Sequence, residues 1–456
     1  MAPATNSSPP DLPSATLIPR IFSAKEHPIT LDMIETDALH VLKKLNNAGF
    51  SGYLVGGGVR DLYLGKTPKD FDISTDARPG QIRKLFPNST IIGKRFRLVQ
   101  VFFHHGKVIE VSTLRSLSEH DLDGPETVLA PNNTFGSLDQ DAQRRDLTIN
   151  SLFFDIRNRT IIDYVNGVGD LDNSIIRMVG EPNKRINRDP VRMMRAIRHS
   201  ARNNFAIEKE TWKAICANHQ KLALCPSSRL RDELFKDLYS GSAAAWFELA
   251  VDSEILFTLL PLYRKVFDFQ MADTMHPRLM LAKLTAVLDK LNTNSAGKKS
   301  VYLPDFFILA MLLIPWAETN YHLFSQQQKG SALFQIAKKL KTELDQDLGI
   351  QLNLSRSLRQ ETTALLINLA VLLQNRQNDS WPKWLRNKSY FAKTSLLYSF
   401  YMEAISGNPI PEQQLSCLPQ VSEKPQQSAY KKEAQQRGKP AFSPYSNGGV
   451  FGFKKK

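Results

Sequence analysis

The chain has 456 residues, of which 42% are apolar and 23% charged, and it carries a net charge of +14 with a pI near 9.5. This length is enough for roughly three domains, and the composition excludes a fibrous or wholly disordered chain. The positive excess favours an anionic partner such as nucleic acid or an acidic membrane surface.

The cysteines are sparse: Cys216, Cys225 and Cys417 form no CxxC pair, which argues against a disulfide framework and a zinc site. A reducing, cytoplasmic compartment fits this usage best. The start of the sequence lacks the pattern of a secretory signal, and no apolar run reaches the ~20 residues that span a bilayer. We therefore expect a cytoplasmic protein without a membrane span.

The first part of the chain predicts alternating helices and strands. Residues 31–48 place apolar side chains at helical spacing, and a short strand then leads into the glycine cluster 56–58, which opens a helix. A strand is predicted at 71–74 and a helix at 81–86. Finally, residues 98–113 predict a β-hairpin whose turn lies at 104–107. The expected unit is an α/β unit with a mixed sheet.

Beyond the hairpin, residues 116–143 are polar throughout and predict a long loop. Regular structure is expected to return at 148–156 and 160–164, and from about 175 the pattern is helical. The expected fold class is an α+β head followed by an all-α neck and body. The domains are a disordered tail at 1–22, a head at 23–174, a neck at 175–240, a body at 241–405 and a basic disordered tail at 406–456.

Two carboxylates stand two residues apart directly after the glycine cluster. Asp70 and Asp72 would share one face of a strand, because side chains at i and i+2 point the same way. Glu110 lies in the middle of a predicted strand, where it must face solvent or a metal. If the two strands are neighbours, the three carboxylates could hold a pair of Mg²⁺ ions for phosphoryl transfer. The alternative is ordinary solvent-facing acidic residues.

The glycine cluster could hold a phosphate. Gly57 and Gly58 precede a helix start, where backbone N–H groups favour anions, and Arg60 adds a cation in the first turn. The Walker pattern GxxxxGK[ST] is absent. A glycine triplet alone is often only a tight turn.

A row of arginines follows one face of a predicted helix. Its members recur at spacings of four, three, three and four: Arg188, Arg192, Arg195, Arg198 and Arg202. Phosphates of a nucleotide or of RNA are the natural partners of such a stripe. The alternative is pairing with acidic residues elsewhere in the chain, such as Glu233 or Asp237.

Four motifs in this order resemble the poly(A) polymerase / tRNA CCA-adding nucleotidyltransferase family. They are LVGGGVRDLYLGKTPKDFD at 54–72, RRDLTIN at 144–150, DYVNGVGDL at 163–171 and DPVRMMR at 189–195. The resemblance covers about residues 50–240. It implies a polymerase-β-like head with helical neck and body domains.

The resemblance also implies roles for individual residues. Asp70, Asp72 and Glu110 would be the metal ligands, and Gly57, Gly58 and Arg60 would bind the triphosphate. The ribose or its surroundings would contact Arg145, Asp146 and Asn150, and the base would be read by Asp189 and Arg192. RNA would contact Arg195, Arg198 and Arg202. The implied cofactor is Mg²⁺ (two ions). In the family, a glutamate that orients the base-reading arginine stands at the position of Arg188, which puts the hold on Arg192 in doubt.

The expected activity is template-independent transfer of AMP from ATP to RNA 3′ ends, by a monomer, with RNA-decay proteins as candidate partners. The wording around 94–99, 134–145 and 225–233 resembles the poly(A) branch, and the basic tail suits a non-specific grip on RNA. CCA addition to tRNA is the main alternative. A catalytically silent RNA-binding relative is the other, although Asp70, Asp72 and Glu110 are all present.

Overall fold

The computed structural model describes residues 17–93, 97–116, 134–267, 276–292, 303–328, 330–377 and 380–411. Most of the predicted N-terminal tail, at 1–16, lies outside the described residues. So do 117–133 of the predicted loop and 412–456 of the predicted C-terminal tail.

The N-terminal part of the chain is built on an eight-stranded mixed sheet with the order β1-β8-β7-β2-β3-β6-β5-β4. The strands are β1 (Arg20–Phe22), β2 (Gly52–Val55), β3 (Asp72–Thr75), β4 (Ser89–Ile92), β5 (Leu98–Phe102), β6 (Val108–Thr113), β7 (Phe153–Asp155) and β8 (Thr160–Asp163). The strands β3 and β6 are parallel, and the other neighbouring pairs are antiparallel.

Helices complete this head. They are α1 (Thr36–Asn47), α2 (Gly57–Tyr63), α3 (Pro79–Leu85), α4 (Leu138–Arg144) and α5 (Gly167–Asp172). Alternation along β5 and β6 buries Val99, Val101, Ile109 and Val111 in the core, whereas the residues between them are only partly buried. The predicted hairpin and the predicted α+β head are confirmed.

The glycine cluster makes the turn between β2 and α2. Gly56 has φ +67° and ψ −132°, a conformation that residues with a side chain avoid. Val55, the last residue of β2, pairs with Asp72 of β3. The turn therefore lies beside the residue that begins β3.

Two predicted boundaries in the head are wrong. The strand β1 pairs with β8, so the N-terminal tail ends before residue 20 rather than at 22. The predicted loop 116–143 contains α4, whose start is fixed by a capping box between Ser137 and Gln140. The regular structure expected at 148–156 is present as a 3₁₀ turn at 148–150 followed by β7 from Phe153.

The rest of the chain is mainly helical. Its helices are α6 (Pro182–Arg188), α7 (Val191–Asn203), α8 (Lys209–Asn218), α9 (Ser227–Leu238), α10 (Ala243–Asp252), α11 (Ile255–Leu259), α12 (Leu262–Phe267), α13 (Pro277–Asn292), α14 (Asp305–Tyr321), α15 (Ser331–Gln346), α16 (Leu348–Gln351), α17 (Arg356–Gln374), α18 (Lys383–Arg386) and α19 (Phe391–Ser406). A small parallel pair, β9 (Ile175–Ile176) with β10 (Ala206–Ile207), corrects the expectation of an all-α neck.

Large apolar side chains fill the helical core, among them Trp246, Tyr263 and Phe400. A long apolar run of the sequence lies in α14, which is buried along most of its length. In the part of the chain that the structure describes, no helix is both long and apolar enough to cross a membrane.

Candidate active site

Two carboxylates meet where β3 begins. Asp72 lies opposite Glu110 of β6 in the parallel register, so both side chains leave the same face of the sheet at the same level. One Glu110 oxygen accepts a hydrogen bond from Gln100 Nε2 at 3.0 Å. The two strands are neighbours, which is the condition on which the predicted carboxylate group depended.

Asp70 is placed differently from its prediction. Because β3 begins at Asp72, Asp70 belongs to the preceding loop, and strand alternation does not align the two side chains. Its charge still acts on Asp72. Burial, Glu110 and Asp70 together raise the pKa of Asp72 to about 6. Asp72 is exposed, and it lines an open cleft.

The carboxylates suit a divalent cation. Among the residues that the structure describes, no three His, Cys, Asp or Glu side chains stand close enough to form a complete metal site. Carboxylate oxygens are the ligands that Mg²⁺ prefers. Burial is the largest cause of the raised pKa of Asp72, and the charges of Glu110 and Asp70 add repulsion that a cation would relieve. The residues therefore fit Mg²⁺, with Asp72 and Glu110 adjacent and Asp70 in the loop beside them.

The carboxylates open into a cleft of about 330 Å³. Arginines and carboxylates make up most of its wall, which consists of Val55, Asp72, Leu98, Glu110, Ser112, Arg144, Arg145, Asp146, Asp189, Arg192, Arg195 and Arg229. A nucleoside triphosphate presents anionic phosphates together with their bound cations. A cleft that combines both signs of charge can accept such a ligand.

Arg60 is bound internally instead of facing this cleft. Its guanidinium is only 3% exposed and donates to Asp61 Oδ1 from Nε at 2.9 Å and from Nη2 at 2.7 Å. Its Nη1 donates to Asn150 Oδ1 at 2.6 Å. The anionic partner of Arg60 is thus Asp61 and not a bound phosphate. Neither Arg60 nor Asn150 lines the cleft. Gly58 packs against the backbone of Asp70, so the glycine turn does adjoin the acidic loop.

The residues that follow α4 do line the cleft. Arg145 donates from Nε and Nη2 to Asp141 Oδ2 at 3.1 and 2.9 Å, and from Nη2 to Ser74 Oγ at 3.2 Å. Asp146 forms an ion pair with Arg195. Burial alone would raise the pKa of Asp146, but Arg195 and the other basic groups of α7 lower it below its ordinary value. The Asp146 carboxylate therefore carries its charge.

The predicted base-reading pair is held from outside the pair. Both oxygens of Asp189 accept hydrogen bonds from the guanidinium of Arg229, each at 2.8 Å. Arg192 donates to the backbone carbonyls of Arg145 and Arg144 at 3.2 Å each. Arg188 stands where the family has a glutamate that orients Arg192. In this chain, main-chain oxygens at the carboxyl end of α4 hold the Arg192 guanidinium instead.

The arginine stripe is largely neutralised within the protein. Arg198 pairs with Glu233 at 2.6 Å and also with Asp237, so the alternative reading of the stripe is confirmed for this residue. Arg202 lies 3.8 Å from Asp61.

The helix α7, which carries most of the stripe, begins at Val191. Asp189 and Pro190 separate it from α6, because Pro190 has no amide hydrogen to continue the helical hydrogen bonds.

The third motif has a structural role. Asp163 accepts hydrogen bonds from the backbone N–H groups of Val165, Gly167 and Val168 and so fixes the start of α5. Asp170 accepts from the Thr148 hydroxyl at 2.6 Å. These buried carboxylates stabilise the joint between head and neck, away from the cleft.

Gly167 lies in the same joint, where a side chain has no room. A Cβ there would stand 2.3 Å from the backbone oxygen of Thr148. We expect Gly167→Ala to lower the free energy of unfolding by about 1–3 kcal/mol, because the backbone would have to move apart. Denaturant unfolding measures this, and Gly80→Ala, which meets no atom within 4 Å, is the control. Equal stability of the two variants would contradict the close approach.

Sequence reasoning missed several residues of the cleft. Two of them could have been found from the sequence. Arg144 is next to Arg145, and Ser112 lies two residues after Glu110 on the same face of the strand. Arg229 had no local signal, because its contact with Asp189 joins two separate helical segments.

Comparison with known proteins identifies the family of this chain. Residues 52–177 match the family model for the poly A polymerase head domain, and residues 204–266 match that for the probable RNA and SrmB-binding site of polymerase A. Poly(A) polymerase I of Salmonella typhi is 38% identical over 330 residues, which cover 71% of this chain and 68% of the relative. The chain belongs to the bacterial poly(A) polymerase family. It is therefore a nucleotidyltransferase.

CCA-adding enzymes are relatives of this poly(A) polymerase family member over a shorter part. The enzyme of Lactobacillus helveticus is 39% identical over 219 residues, or 48% of this chain and 53% of the relative. The structure of the Bacillus stearothermophilus CCA-adding enzyme in complex with CTP matches with a TM-score of 0.58 at 24% identity, covering 84% of this chain and 81% of that one. This likeness shows a shared fold.

Proposed function

We propose that the chain is a template-independent polynucleotide adenylyltransferase, which adds AMP from ATP to RNA 3′ ends and thereby promotes RNA decay. The observation that carries this proposal is the cleft, whose wall brings the carboxylates of Asp72 and Glu110 together with Arg145 and Asp146 around a space that a nucleotide can enter. The 38% identity to Poly(A) polymerase I supports adenosine as the transferred nucleoside.

In this reaction the 3′ oxygen of the RNA attacks the α-phosphorus of ATP, the bond to the bridging oxygen breaks, and pyrophosphate leaves. No protein nucleophile is needed. Asp70, Asp72 and Glu110 would hold Mg²⁺, which when bound lowers the pKa of the attacking hydroxyl and neutralises phosphate charge. The chain's own arginines at the cleft, Arg144 and Arg145, would bind phosphate oxygens directly.

The remaining proposed contacts follow the cleft outward. Asp146 would accept from a ribose hydroxyl, and Asp189 with Arg192 would read the base edge. The N–H groups of Gly57 and Gly58 would bind phosphate at the start of α2.

On the RNA side, the Arg198 side chain is only 14% exposed and is paired with Glu233 and Asp237. The proposed RNA contacts of the stripe are therefore Arg195 and Arg202, whose side chains are 40% and 43% exposed. The chain would act as a monomer in the cytoplasm, with RNA-decay proteins as partners.

One assay tests the activity. The full chain is offered a generic RNA or a tRNA that lacks its CCA end, with ATP or CTP and Mg²⁺, and the products are resolved by length. We expect long tails on the generic RNA from ATP alone. Incorporation of CTP followed by a single adenosine, confined to tRNA, would contradict the proposal and identify a CCA-adding enzyme. RNA binding without any incorporation would identify a catalytically silent relative.

A further inference from the structure

One buried carboxylate stands behind the cleft without a role in the proposed reaction. The Asp141 side chain has no exposed surface. Its Oδ1 accepts from Arg144 Nε and Nη2 at 2.8 and 2.5 Å and from the backbone N–H of Arg115 at 3.2 Å. Its Oδ2 accepts from both Nε and Nη2 of Arg145. Each oxygen thus serves one arginine of the cleft wall.

The spacing along α4 explains this geometry. Residues three and four positions apart lie on the same side of a helix, so Asp141 reaches both Arg144 and Arg145 from within the same segment. Burial alone would raise the pKa of Asp141, but Arg145 and Arg144 lower it below its ordinary value. The carboxylate is therefore charged, and the two guanidinium groups have a fixed common anchor.

The anchor also bears on the base-reading corner. Arg192 donates to the carbonyls of Arg144 and Arg145, and Arg185 donates to the carbonyls of Gln143 and Arg145. The orientation of Arg192 hence depends on where the carboxyl end of α4 lies.

We propose that Asp141 is a positioning residue of the nucleotide site: it sets the direction of the Arg145 guanidinium toward the triphosphate. The inference rests on the proposed function for the identity of the ligand. It assigns to Asp141 no contact with the nucleotide. Its effect is on affinity, because an arginine that must find its orientation anew binds phosphate less tightly than one already held in place.

Asp141→Asn tests the proposal. An amide has only one acceptor oxygen, and we expect this oxygen to take the position of Oδ1, where three donors meet it. The amide NH₂ would then take the position of Oδ2 and face the N–H donors of Arg145, with which it cannot form a hydrogen bond. We expect the Kd of ATP with Mg²⁺, measured by calorimetry, and the KM for ATP to rise about tenfold, with kcat changed much less. The double variant with Arg145→Met should bind ATP no more weakly than Arg145→Met alone. Multiplying effects, or unchanged affinity in Asp141→Asn, would overturn the proposal.

Two further variants keep the test decisive. Asp139→Asn makes the same chemical change two residues earlier, where the side chain contacts Ser137, and should leave ATP affinity unchanged. If Asp141→Asn does not fold, Arg145→Lys keeps the charge but loses the two-point contact with Asp141. It should show the same tenfold loss, and wild-type affinity in this variant would overturn the proposal. ATP binding is measured without RNA, so absent tail synthesis would contradict the proposed function alone.

Discussion

Replacing Asp72 with alanine is expected to abolish nucleotide transfer while leaving RNA affinity nearly intact. Asp72 begins β3 beside Glu110 and is the carboxylate on which the other two act electrostatically. Its loss removes a ligand from the proposed Mg²⁺ site, and we expect the rate of AMP transfer to fall by about a thousandfold or more, on the order of 4 kcal/mol. Single-turnover incorporation measures the rate, and fluorescence anisotropy with labelled RNA measures affinity.

The matched control is Asp76→Ala. Asp76 follows β3 directly but lies away from the cleft, where it accepts a hydrogen bond from the Ser51 backbone N–H at 2.9 Å. This variant should transfer AMP at close to the wild-type rate. Retained activity in Asp72→Ala would refute the metal assignment, and a parallel loss of RNA binding would indicate misfolding instead.

Replacing Arg229 with methionine is expected to weaken the choice between ATP and CTP. Arg229 occupies both oxygens of Asp189, which are the only acceptors that this side chain can offer to a base amino group. Once released, Asp189 can turn toward either base. Charge-assisted hydrogen bonds contribute about 1.5–3 kcal/mol, so we expect the ratio of kcat/KM for ATP over CTP to fall by about ten- to a hundredfold.

Arg231→Met is the control for Arg229. Arg231 lies two residues further along α9, pairs with the exposed Asp232 and donates to the backbone oxygen of Asn353, so it does not reach the cleft. Its ratio of kcat/KM values should equal that of the wild type. If Arg229→Met also keeps the wild-type ratio, the ion pair with Asp189 has no part in nucleotide choice.

Local patterns predicted the elements that carry the site. Alternation placed Glu110 opposite the core face of its strand, and the glycine cluster was correctly placed between a strand and a helix. What the sequence could not supply was the register. The pairing of Asp72 with Glu110 joins two strands that are separated in the chain by α3, β4 and β5, and nothing in either strand alone specifies it.

The arginines show the same limit more clearly. Their spacing along α7 is visible in the sequence, but their partners are not: Arg195 reaches back to the head, and Arg198 reaches forward to α9. A row of arginines on a helix face is equally compatible with binding RNA or nucleotide phosphates and with pairing to acidic side chains of the same chain. Only the packing of α7 between these elements decides that most of the stripe is satisfied within the chain.

The short strand β1 has a consequence for shortening the chain. Arg20, Ile21 and Phe22 pair with Asp163, Ile162 and Ile161 and cover one edge of β8. Removing residues 1–22, the predicted disordered tail, would uncover a row of backbone N–H and C=O groups along β8. Such an edge can add a strand from a neighbouring molecule, so self-association would follow. A truncated protein that is to stay dispersed has to begin ahead of residue 20.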